Sequence, residues 1–239
     1  MRKVFISLTV ICTTLLCIAP CIAGTVVRED RKTESFSRIS VSGCIEVYYT
    51  QNDSYSVAVE AREDYIGEII TKVEGRTLVV KPKGNSSSVK KNRIVKVHVS
   101  APALDRIDIS GVSGFHADSI RCDSPFQLKA SGVSNAKITG LTVTGNADIS
   151  ASGNSNMNIK KLQAVECELL AEGVSHLNID MELSGNLKAK ASGASSMNLQ
   201  GQANDIAIST SGVSNVNAKK LAYKSADIQK SDASSVSRK

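Results

Sequence analysis

The chain has 239 residues, a formal net charge of +6 and six cysteines. Removal of a 23-residue leader leaves 216 residues, a charge of +4 and three cysteines, Cys44, Cys122 and Cys167. So mild a charge gives no ground for a nucleic-acid binder, and three distant cysteines are no disulfide framework, so packing and backbone pairing must hold the fold.

Residues 1–23 read as a signal peptide. Arg2 and Lys3 precede an apolar run from Val4 to Ile18, and Cys21-Ile22-Ala23 places small residues before Gly24. The run of about 15 apolar residues is short of the ~20 that a membrane span needs, so no spanning segment is expected after cleavage. A lipoprotein anchor is the weaker alternative, because Leu16 and Pro20 precede Cys17 and Cys21 where a small residue is wanted. The reading predicts an exported protein of the periplasm, outer membrane or cell surface.

Residues 24–35 are polar and charged and are expected to form a flexible leader. From 36 to 109, short alternating runs such as Ile39/Val41, Ile45/Val47/Tyr49, Val57/Val59, Leu78/Val80 and Val95/Val97/Val99 predict irregular β coils that cap and continue the rest. Asp64–Ile70 reads as a helical turn or two. The basic run Lys90–Lys96 after Gly84-Asn85-Ser86 is expected to be a solvated hairpin end, and in an exported chain no nucleic-acid partner is expected.

From 110 to 239 one phrase recurs, as SGVS, SGVS, SGNS, EGVS, SGAS, SGVS and SDAS. Its second residue runs from Gly111 through Gly132, Gly153, Gly173, Gly193 and Gly212 to Asp232, at intervals of 21, 21, 20, 20, 19 and 20 residues. A period near 20 is too short for helix-pair or propeller repeats, which leaves an all-β solenoid, a parallel β-helix with about 20-residue coils in a single domain over 36–239. Four residues after each glycine stand Phe115, Ala136, Met157, Leu177, Met197 and Val216, and six after it Ala117, Ile138, Ile159, Ile179, Leu199 and Ala218. Both columns are apolar and two apart, so they share the inward face. Leu128, Ile149 and Leu169 with Ala130, Ala151, Ala171 and Ala191 form the opposite inward flank, and Leu141/Val143 and Leu162/Ala164 a third short segment. The glycines are expected at corners with positive φ, where Asp232 is also tolerated. Lys230 breaks the inward column, as a blunted terminal coil would.

The phrase serines Ser113, Ser134, Ser155, Ser175, Ser195, Ser214 and Ser234 could be read as nucleophiles. Only His176 stands beside one, so a structural hydroxyl ladder at the corners is the stronger reading. Asparagines occupy the opposite parity, Asn135, Asn156 and Asn215 three after the glycine and Asn158, Asn178, Asn198 and Asn217 five after it. Stacked amides can bond to one another along a solenoid axis. They can also face an extended polymer, and these seven are the candidate ligand-binding residues. The acids do not recur at one coil position, and His98, His116 and His176 share no ligand spacing with each other or with cysteine, so neither catalysis, nor a metal, nor a cofactor is expected. Cys167 falls in an inward column and is expected to act as a small hydrophobe.

The segments Phe36-Ser37-Arg38-Ile39-Ser40-Val41-Ser42-Gly43, Ile45-Glu46-Val47-Tyr48-Tyr49-Thr50-Gln51 and Thr71–Val80, with the serial SG-x-S phrase, resemble the auto-transporter adhesin head GIN domain family, found mostly in Bacteroidetes. The resemblance covers about Phe36 to Val236. It implies a right-handed β-helix, export, and an adhesin-like role with no catalytic residues to carry over. No translocating barrel is expected after Val236. The expected function is therefore a non-catalytic binding module that offers its Asn/Ser face to a glycan or to an envelope or host surface protein. The alternatives are a polysaccharide lyase or hydrolase on the same scaffold, or a purely structural envelope rod.

Overall fold

A computed structural model describes residues 25–84 and 95–238. Residues 1–23, read as a signal peptide, and most of the basic run at Lys90–Lys96 lie outside these residues. Alternation of apolar and polar residues, with glycine at the corners, makes almost every described segment a strand. In the repeat half each coil gives one strand to each of two sheets. The shorter strands, β10 (Phe126–Ala130), β12 (Ala147–Ala151), β14 (Cys167–Ala171), β16 (Leu187–Ala191), β18 (Asp205–Thr210) and β20 (Ser225–Lys230), stack in parallel in the first sheet. In the second, β9 (Gly114–Cys122), β11 (Asn135–Val143), β13 (Asn156–Ala164), β15 (His176–Leu183), β17 (Ser196–Gln202), β19 (Asn215–Ala222) and β21 (Ser235–Arg238) stack likewise.

The register piles equivalent residues in columns. Ile138 lies beside Ile159 and Ile159 beside Ile179, all at most 1% exposed. Leu128, Ile149 and Leu169 form the facing column and are fully buried. The long strands bend midway. At the bend two consecutive residues point outward, as in Lys160-Lys161 and Lys219-Lys220, and the inward parity restarts at Leu141, Leu162 and Leu221. This bend creates the third segment that the sequence predicts. In β15 a single residue, Asp180, makes the turn, and the register shifts there between Ile159 and Leu162.

All six phrase glycines have φ between +70° and +78°, and Asp232 follows them at +57°. Each is also pressed against the coil before it: a Cβ at Gly153 would lie 2.6 Å from the carbonyl oxygen of Gly132. That carbonyl accepts the amide of Asn154 at 2.7 Å, and the same bond joins Val133 to Gly111 and Val174 to Gly153.

The glycine column begins earlier than the repeated phrase shows. β2 (Arg38–Val41) runs parallel to β8 (Arg106–Ile109), β3 (Ile45–Gln51) runs parallel to β9, and Gly43 at their corner has φ +108°. The amide of Val112 donates to the Gly43 carbonyl at 2.6 Å. The sequence hides this corner because 68 residues separate Gly43 from Gly111. Within that insertion, β6 (Thr77–Pro82) and β7 (Val95–Ala101) lie parallel to β2 and β3 on their other side. Here the spatial order of coils therefore reverses the chain order. β4 (Ser56–Arg62), a 3-10 turn at Ile66–Glu68 and β5 (Ile69–Glu74) follow, and β4 and β5 pair antiparallel to β7 and β6. These antiparallel strands end the parallel stack.

One expectation is overturned at this end. Val26–Arg31, read as part of a flexible leader, form β1, antiparallel to β4 at the edge of the sheet. The backbone ladder holds them despite their polarity, Val27 packs against the core, and Arg31 Nη2 donates to the Ile66 carbonyl at 3.0 Å. Charged side chains suit an exposed edge strand, and composition alone does not distinguish one from a loose segment. At the opposite end Lys230 pairs with Thr210 and is exposed, as its sequence position implies.

Cys167 is 3% exposed, and burial pushes its thiol well above the ordinary range. Cys122 is equally buried and lies 3.2 Å from the Ser124 carbonyl, whereas Cys44 is half-buried. Alkylation of the native protein near pH 8 is therefore expected to modify Cys44 alone, as read by mass spectrometry, with Cys122 and Cys167 reacting only on unfolding. Labelling of Cys167 in the native state would contradict its place in the core.

Candidate functional site

The corner serines point inward. Ser113, Ser134, Ser155, Ser175, Ser195 and Ser214 are at most 3% exposed, and Ser155 and Ser175 donate to the Ser152 and Glu172 carbonyls at 2.7 and 2.6 Å. Ser214 donates to Ser211 at 2.8 Å in the same way. His176 opens the adjacent strand on the outer face, opposite to Ser175, so the two cannot act as a base and a nucleophile. The hydroxyls serve the corners that the glycines bend.

The asparagines point outward and divide into two columns. In the first, Asn158, Asn178, Asn198 and Asn217 are successive neighbours on β13, β15, β17 and β19. Asn198 Nδ2 donates to Asn178 Oδ1 at 2.8 Å, and Asn217 Nδ2 to Asn198 Oδ1 at 3.4 Å. Asn198 and Asn217 each use one N–H in the ladder, and each amide has a second N–H besides. In the other column Asn135 neighbours Asn156, after which His176 and Ser196 intervene before Asn215. The structure thus gathers four of the seven candidates in one unbroken row and places Asn156 and Asn215 two residues before Asn158 and Asn217 on the same strands, with Asn135 next to Asn156.

The unbroken row lies in a shallow groove of about 390 Å3 that runs along the coil axis. Its far wall is the bend of the long strands, which brings Lys160, Asp180, Gln200 and Lys220 into line. Gln200 Nε2 donates to Asp180 Oδ2 at 2.9 Å. Sequence periodicity alone misses this wall, because a doubled outward residue resets the strand parity there.

The Asn column continues toward the N-terminus as Lys137, His116, Tyr48 and His98. The Tyr48 ring is stacked between the two imidazoles, with centroids 5.5 Å from His98 and 4.9 Å from His116. Glu46 reaches over Gly114 to His116, Oε2 to Nε2 at 2.6 Å, and a Cβ at residue 114 would occupy the place of that carboxylate. Both faces of the Tyr48 ring are thus covered, so it offers no platform for a sugar to stack on. The three histidines are not brought together, and no group of three or more His, Cys, Asp or Glu residues among the described residues could hold a metal.

A second groove, of about 460 Å3, crosses the outer face of the shorter-strand sheet. Here one expectation is corrected: acids do recur at one coil position, since Asp148 and Glu168, each five residues before its phrase glycine, are neighbours on β12 and β14, with Glu166, Asp205 and Asp227 nearby. Asp148 accepts from Gln127 at 2.7 Å, Glu168 pairs with Lys188 at 3.0 Å, and Asp205 accepts from Ser225 at 2.6 Å. Asp148, Glu168 and Asp205 are thus each engaged with a neighbour.

The family model described as "Putative auto-transporter adhesin, head GIN domain" matches residues 35–182 and again 142–237. The chain belongs to this family. The double match follows from the repeat, since successive coils are near-equivalent. Among solved structures, a putative adhesin from Bacteroides fragilis resembles this head GIN protein with a TM-score of 0.74 at 20% identity, over 90% of this chain and 97% of the other. Putative adhesins from Parabacteroides merdae and Parabacteroides distasonis give TM-scores of 0.66 and 0.65 at 18% and 19% identity, each over 90% of this chain and 97% and 98% of theirs. At such identities the likeness is one of fold. No functionally curated protein matches the chain.

Proposed function

We propose that this head GIN protein is an exported, non-catalytic, adhesin-like module of the cell envelope that binds a glycan along its asparagine groove. The carrying observation is the row from Asn158 to Asn217, which presents one amide per coil, about 4.8 Å apart, along a groove. An extended sugar chain laid along the axis would meet one amide per sugar ring, and amides supply both the donors and the acceptors that hydroxyls need. Family membership supports the adhesin-like role, and the leader sequence supports export.

Replacing Asn158, Asn178, Asn198 and Asn217 together by alanine is expected to reduce glycan-array binding at least ~10-fold, since each lost hydrogen bond is worth about 0.5–1.5 kcal/mol. Unchanged binding would move the contact off this face. Hydrolysis is the second reading, and the neighbouring carboxylates Asp148 and Glu168 favour it. New reducing ends released from a bound glycan, and lost on Glu168→Gln, would support that reading over simple binding.

A further inference from the structure

We infer that the ligand of the asparagine groove is an acidic polysaccharide, lying along the coil axis with its anionic groups at the two ends of the groove. The inference rests on the glycan-binding reading and adds the ligand's charge, direction and minimum length.

Three observations carry it. First, the groove has cations at both ends. Lys160 lines one end and Lys220 the other, with Lys161 and Lys219 beside them at the bends and Lys137 next in the amide column. All five are exposed, and none forms an ion pair among the described residues, whereas Lys72, Lys96 and Lys188 each lie against a glutamate. Second, the one carboxylate lining the groove, Asp180, stands one coil from Lys160 and two from Lys220 and accepts from Gln200. The lining therefore places a positive charge at each end and a single carboxylate between them. Third, the groove lining contains no aromatic residue, and both faces of Tyr48 are covered by imidazole. Recognition must come from hydrogen bonds and charge rather than from ring stacking.

The register fixes the length. Lys160 and Lys220 are three coils apart, through Asp180 and Gln200, or about 14 Å at ~4.8 Å per coil. A chain of four sugar units spans both ends, and a chain of two reaches only one. The middle units meet Asn178 and Asn198 and need no charge.

The test is calorimetric titration of the intact mature protein with β-1,4-linked oligomannuronates of two to six units, and with neutral β-1,4-linked manno-oligosaccharides of the same lengths. The expected result is that the acidic series binds more tightly, that affinity rises most between two and four units, and that binding weakens as salt is raised from 0.05 to 0.5 M, roughly the range over which screening of exposed charges becomes severe. Lys160→Gln and Lys220→Gln are each expected to weaken the acidic hexamer about two- to fivefold and to weaken the neutral hexamer by a clearly smaller factor. Both side chains are solvated, so unaltered melting temperatures verify the fold. Equal binding of the two series, or acidic binding that ignores both substitutions, would overturn the inference and leave the glycan-binding reading standing. Failure of both series to bind would overturn the reading beneath it.

Discussion

Gly153→Ala is expected to destabilise the protein by about 2–5 kcal/mol, from roughly 1–2 kcal/mol for a left-handed non-glycine residue and about 1–3 kcal/mol for forcing neighbouring backbone apart. Gly153 has φ +73°, and a Cβ would meet the Gly132 carbonyl oxygen at 2.6 Å. That carbonyl is held by the Asn154 amide, so the neighbouring coil cannot yield without losing a bond of the ladder. Urea unfolding should show a lower midpoint with an unchanged slope. Gly67→Ala is the control: its φ is not positive and a Cβ there meets nothing within 4 Å, so its effect should stay within about 0.5 kcal/mol. Equal midpoints for the two variants would refute the requirement for glycine at the corners.

Ile159→Ala is expected to cost about 2–5 kcal/mol, and Ile159→Val about 0.5–1.5 kcal/mol. The side chain is 1% exposed between Ile138 and Ile179, in an interior only one coil wide. Because each coil contacts chiefly its two neighbours, the loss should be local. Hydrogen exchange should quicken in β11, β13 and β15 and remain near wild type in β2, β3 and β6. A uniform increase throughout the chain would mean that the stack unfolds as one unit.

The repeat half was legible because its periodicities are simple. Inward columns two residues apart, positive φ at the phrase glycines and at Asp232, buried serines and outward asparagines all follow from the spacing, and the register bears them out. The rest was obscured for identifiable physical reasons. Gly43 belongs to the same column, but its neighbour Gly111 is reached only after an insertion whose strands double back. β1 carries few apolar residues, because an edge strand draws its order from backbone pairing. The lysine wall of the groove was missed because it sits at the bend, where two outward residues in succession break the alternation that revealed everything else. The second asparagine column, two residues before the continuous row, forms no row of its own because His176 and Ser196 interrupt it between Asn156 and Asn215.

The hydrogen bond from each glycine corner to the glycine before it makes the coils between Gly43 and Gly212 begin and end on an interchangeable joint. A stretch such as 153–172 could be lost or duplicated in evolution, joining one corner to an equivalent one without disturbing either terminus. The scaffold can thus lengthen or shorten by whole increments, and with it the number of consecutive amides offered to whatever lies against them.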